Sequence, residues 1–176
     1  TQLSKARTKF IKYNEDLAKL KIKSLTIQER IKSDVATRKI LDLKQTIKGI
    51  HGTVAELGKV PSEYELAITI AAGSRTKAIV VDTDKTAEKC IQQLKKNKYG
   101  AAIFLPLNKI KERQSNQTIK EFKKRKGVHG LATELVNYNP KYKNVFSYVL
   151  GDTLVVNNIQ TAREIGIGRV RMVTLE

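Results

Sequence analysis

Two histidines stand in near-identical surroundings, KGIHGTVAEL from Lys48 to Leu57 and KGVHGLATEL from Lys126 to Leu135. Paired histidines are candidate metal ligands, but His51 and His129 have no cysteine nearby and form no HxxxH or HExxH spacing. A strand-end histidine satisfied by backbone groups is the competing reading. The segment GTVAELGKV hints at a phosphate loop through Gly52, Gly58 and Lys59. Five residues separate its glycines where the nucleotide loop needs four, and Val60 stands where a magnesium-binding Ser or Thr belongs. Asp82, Asp84 and Asp152 follow strands or helices, where carboxylates cap and turn the chain. No nucleophile lies beside a base in this pattern, so the sequence argues against catalysis, and no metal or cofactor is expected in this stretch.

The other chemistry available is electrostatic. The 176 residues carry a net charge of +17 at pH 7, a balance that favours polyanionic partners, although a lysine-rich solvated surface gives the same number. Lys95, Lys96 and Lys98 end one helical pattern, where the helix dipole alone would favour them. Lys123, Lys124, Arg125 and Lys126 form a denser cluster, and Lys44 and Lys48 could extend the same surface. These nine residues are the candidate contacts to DNA phosphates, with few aromatic residues nearby to stack on bases. No apolar run approaches a membrane span, and TQLSKARTKF lacks the apolar core of a signal peptide. Cys90 is the only cysteine, which excludes an intrachain disulfide and a zinc cluster and points to a reducing cytoplasm.

The elements that position these residues come in three kinds. Leu3, Phe10, Leu17, Ser24 and Ile31 recur every seven residues, with Ala6, Tyr13, Leu20, Ile27 and Asp34 interleaved, which predicts a coiled-coil helix. After Ile31 the register breaks and Ala36, Ile40, Leu43 and Ile47 carry a new seam. A protruding arm and a helix folded back on the globular part both fit, and the narrow lysine-flanked seam favours the arm. From Gly49 onward one pattern appears twice: the glycine–histidine motif, then Tyr64 or Tyr142, then Gly73 or Gly151, at a constant offset of 78 positions. A β-branched run follows in each copy, Ile79–Val81 or Leu154–Val156, then a helix start at Thr86-Ala87 or Thr161-Ala162 and a closing strand, GAAIFLPL or GRVRMVTL. Each half reads as strand, helix, strand, helix, strand, an α/β or α+β domain of two pseudo-equivalent subdomains. The expected divisions are an arm over 1–47, a first subdomain over 48–108, a basic flexible linker without core pattern over 109–126 and a second subdomain over 127–176. The closing strands are expected to offer apolar edges to a second subunit, with Gly166 and Gly168 allowing close backbone approach.

GIHGTVAEL, YELAITIAAGSR, AIVVDTDKTAEKCIQQLKKNKYGAAIFLPLNKI, YVLGDTLVVNNIQTAR and GRVRMVTLE together cover nearly all of Gly49 to Glu176. In combination they resemble the hinge domain of SMC (structural maintenance of chromosomes) proteins, of the homodimeric archaeal and bacterial condensin type. The resemblance implies an SMC hinge fold flanked by antiparallel coiled-coil arms and dimerising into a ring-like unit. It further implies a cytoplasmic, nucleoid-associated ATPase for chromosome condensation and segregation, with ATP and Mg at distant heads and a kleisin partner. In such hinges the last strand runs on into a glycine-rich segment and the returning arm, neither of which is among these residues, and the lysine-rich segment between the halves is long. A stand-alone basic nucleic-acid-binding protein is the alternative.

Overall fold

The computed structural model describes residues 2–111 and 117–176. Helix α1 runs from Gln2 to Asp42, about 60 Å at 1.5 Å per residue. Its heptad residues Phe10, Leu17, Leu20, Ile27 and Ile31 are all exposed, so the helix projects as an arm. Among the described residues, contacts with the rest of the chain are at its root. Ala36 and Ile40 are fully buried against helix α4 (Asp84–Asn97), Lys77 pairs with Asp34 at 2.5 Å, and the Lys39 ammonium lies over the Tyr99 ring. The change of seam after Ile31 therefore marks the point where the helix leaves its domain.

The duplicated sequence folds twice. Strands β1 (Ile50–Thr53), β3 (Ile79–Val81) and β4 (Phe104–Pro106) form one sheet in the order β1-β3-β4. Strands β5 (Val128–Leu131), β7 (Thr153–Val156) and β8 (Arg171–Thr174) form its twin, in the order β5-β7-β8. In both sheets the first pairing is antiparallel and the second parallel. Both first pairings are interrupted at the histidine, between Ile50 and Gly52 and between Val128 and Gly130. Short helices α2 (Val54–Leu57), α3 (Glu65–Ala72), α6 (Lys143–Leu150) and α7 (Ile159–Ile165) complete the halves. Helices α3 and α6 have equal length and stop at glycines of matching conformation, φ 57° at Gly73 and 56° at Gly151. Such a left-handed stop needs no Cβ, which is why glycine recurs there. A two-residue ladder, β2 (Gly58–Lys59) with β6 (Asn137–Tyr138), joins the halves antiparallel. Lys59 pairs with Asn137, its own repeat equivalent, so the pseudo-twofold axis passes through that pair.

Alternation along the strands divides the interior into three cores. Val80 and Val155 face a central core shared by α3, α6 and both halves. Ile79 and Val81 face outward to α1 and α4, and Leu154 and Val156 face outward to α7 and α5 (Gln117–Phe122). Helix α5 departs from the expected linker: Ile119 and Phe122 are buried on the second sheet, anchoring the segment that the lysines made look solvated. Residues 112–116 of that linker lie outside the described residues. The expected strand from Gly100 is also shorter, beginning at Phe104. Gly100 passes so close to α1 that a Cβ there would sit 3.1 Å from the Lys32 carbonyl oxygen.

Candidate functional site

The histidines and tyrosines of the repeat meet across the halves rather than within them. Tyr142 Oη lies 3.2 Å from His51 Nδ1, and Tyr64 Oη lies 3.2 Å from His129 Nδ1. Both ring pairs meet edge-on. The bulge residue of each first strand is thus re-aimed at the partner half, making a reciprocal staple that spacing alone did not reveal. The two staples differ at the far nitrogen. His129 Nε2 bonds Asn157 Oδ1, whereas His51 Nε2 is buried with no hydrogen-bond partner among the described residues. Among those residues no three His, Cys, Asp or Glu side chains are grouped to hold a metal ion.

Burial of the ring, with Lys141 and Lys44 adding positive charge, lowers the pKa of His51 from its ordinary value, against an opposing pull from Asp82. The folded state therefore resists a proton that the unfolded chain accepts near pH 6.5. Between that value and the lowered folded one, the unfolded state holds more protons, so this contribution to stability falls as pH falls through 6.5. Denaturant midpoints measured from pH 7.5 to 5 are expected to decline, and His51→Gln is expected to flatten much of that slope. An unchanged slope in the variant would remove the role given to His51.

The edge strand β8 borders an apolar strip. Ile70 of α3, Ile159 of α7 and Ile167 are exposed, Ile167 to 66 %, and with Val170 and Met172 they line a groove of about 340 Å³. Gly166 caps α7, donating its N–H to the Ala162 carbonyl at φ 106°, and Gly168 has φ 90°. Conformation thus calls for glycine at both positions without any partner. At Gly168 an added Cβ would meet nothing within 4 Å, so its face is open. Ile70 and Ile159 were missed from sequence, because each reads as the buried side of its own short helix.

The basic candidates divide between the two halves, at the end of α4 over one outer core and after α5 over the other. Lys95, Lys96 and Lys98 are exposed at the end of α4, with Lys98 itself the left-handed cap at φ 53°. Lys123 to Lys126 follow α5 on the second half. Lys123 is paired with Glu134 at 2.5 Å. Arg125 donates to the Glu164 carbonyl at 3.0 Å and lies over the Phe122 ring. Lys44 donates to the His51 carbonyl at 2.8 Å. Lys95, Lys96, Lys98, Lys124, Lys126 and Lys48 have no side-chain partner among the described residues and are the freer cations. No described helix is long and apolar enough to cross a membrane.

Comparison with known proteins adds to this geometry. Residues 47–166 match the family model of the SMC proteins Flexible Hinge Domain. The chain is similar to the chromosome partition protein Smc of Methanocaldococcus jannaschii, 38 % identical over 177 residues, covering 99 % of this chain and 14 % of that protein. It is likewise similar to the Smc of Bacillus subtilis, 38 % identical over 143 residues, covering 79 % of this chain and 12 % of that protein. It therefore spans about an eighth of the length of these relatives. Among solved structures, an asymmetric dimer of the Geobacillus stearothermophilus SMC hinge domain matches with a TM-score of 0.77 at 31 % identity, covering 92 % of this chain and 66 % of that one. The Pyrococcus furiosus Smc hinge domain with an extended coiled coil matches at 0.70 and 35 % identity, covering 91 % and 55 %.

Proposed function

The chain belongs to the SMC hinge family, and from that premise we propose that it joins two copies of a chromosome-partition protein. The carrying observation is the exposed apolar strip along β8, with Ile167 and Ile159 beside a strand edge that has no partner among the described strands. An open edge with apolar flanks costs free energy in water and gains by pairing with a second copy. The solved hinge of Geobacillus stearothermophilus, a dimer, supports the same reading. Sedimentation equilibrium is expected to give a dimer, and a monomer persisting at high protein concentration would overturn the proposal.

The exposed heptads of α1 point to a helical partner, an antiparallel arm of the same protein. ATP hydrolysis with Mg at distant heads, a kleisin partner there, a role in chromosome condensation and segregation, and a place on the nucleoid in the cytoplasm complete the proposed setting.

DNA contact through the basic ends is a second, separable activity, favoured by the exposed lysines at the end of α4. Lys123 is a poor probe, because reversing it also breaks its ion pair with Glu134. Reversal of Lys95, Lys96 and Lys98 to Glu is expected to weaken binding to any DNA sequence. The log–log salt slope should shrink by about 0.9 for each duplex phosphate that is no longer neutralised. Unchanged affinity and slope would exclude these lysines as the DNA-binding surface.

A further inference from the structure

Beside the β2–β6 ladder, between the halves, lies a cleft of about 250 Å³. Its floor is buried and apolar, with Ile68 and Ala72 from the first half and Val136, Phe146 and Leu150 from the second. Its rim is exposed and polar, with Glu65 and Thr69 one turn apart on α3.

The repeat supplies an internal comparison. In the second half, Tyr138 stacks on Phe146 with ring centroids 4.3 Å apart and planes 12° from parallel. The repeat equivalents of those two rings are Val60 and Ile68, and both line the cleft. Where the second half lays one ring on another, the first half leaves open space. The rim differs in charge as well, since the equivalent of Glu65 is Lys143.

We infer that this cleft binds a small planar aromatic molecule bearing a positive charge, its ring lying against Ile68 as Tyr138 lies against Phe146 and its cation at the Glu65 carboxylate. An apolar cavity of about 150 Å³ accepts benzene, so the larger cleft has room for a bicyclic ring. Apolar walls supply affinity, and the single carboxylate on one side of the rim fixes orientation.

Tryptamine is a suitable probe, because the chain contains no tryptophan and the indole fluorescence reports only the ligand. Saturable binding of tryptamine is expected, with indole-3-acetate at least tenfold weaker. The net charge of +17 would by itself favour the anion, so this order reads the local carboxylate. Glu65→Gln should bring the two probes to similar affinity. Val60→Tyr plants the missing ring and should abolish binding, and Ala55→Tyr, which fills the cleft from its exposed rim, serves if the first variant does not fold. Equal binding of both probes by the unaltered protein, or undiminished tryptamine binding by a folded ring-bearing variant, would overturn the inference.

Discussion

Phe146→Ala is expected to destabilise the chain by about 3–5 kcal/mol, the range for deleting a buried phenylalanine. Small domains have only about 5–15 kcal/mol in total, so a shift of that size lowers the denaturant midpoint severely. Phe146 is 3 % exposed in the central core, the one core that both halves share. It supports the Tyr138 ring and closes over Gly58. An added Cβ at Gly58 would lie 2.7 Å from Phe146 Cζ and 2.8 Å from Val136 Cγ1, so Gly58→Ala should cost about 1–3 kcal/mol by overpacking. The two changes are opposite in kind and touch the same space, so they should couple: in the Phe146→Ala background the new methyl finds room and its cost should shrink. Hydrogen exchange should rise in both halves of the Phe146 variant. A loss below 1.5 kcal/mol, or strictly additive effects, would show that the halves do not depend on this ring.

Much of this architecture is legible in the chain because the duplicated signals are backbone requirements. Gly73 and Gly151 end helices in the same left-handed geometry, and Ile79–Val81 and Leu154–Val156 are buried on both faces of central strands. A repeat of such residues announces a repeat of structure. The short helix α5 was not legible: Ile119 and Phe122 are one apolar turn among lysines, too short to establish a period. The Tyr–His staples escaped for a different reason. The repeat placed the four residues at equal spacing, but only the twofold arrangement decides that each tyrosine reaches the other half's histidine. The basic clusters were legible as charge and illegible as contact, since nothing in sequence distance ties Lys123 to Glu134 or Arg125 to the end of α7. The apolar strip gave the weakest signal of all. A leucine or isoleucine on a short helix reads as core until the sheet shows which face is already covered, as at Ile70 and Ile159.

That strip carries the other large effect. Ile167→Glu is expected to weaken self-association by roughly 30- to 1,000-fold, the equivalent of about 2–4 kcal/mol for a central interface residue, while leaving the monomer folded. The monomer should tolerate it because Ile167 is 66 % exposed in the single chain, so a carboxylate there stays hydrated until a partner covers it. In the dimer the same carboxylate would lose its water against Ile159, Val170 or their copies, and none of the described residues lining the groove is a cation. Gly168→Ala provides a graded companion. Its methyl meets nothing in the monomer, and the backbone strain of an alanine at φ 90° is read from the unfolding of the monomer itself, so a loss of association beyond that effect would report the close approach of a second copy. Sedimentation equilibrium and thermal unfolding on the same samples separate the two effects. If Ile167→Glu still sediments as a dimer of unaltered affinity, the β8 edge is not where two copies meet.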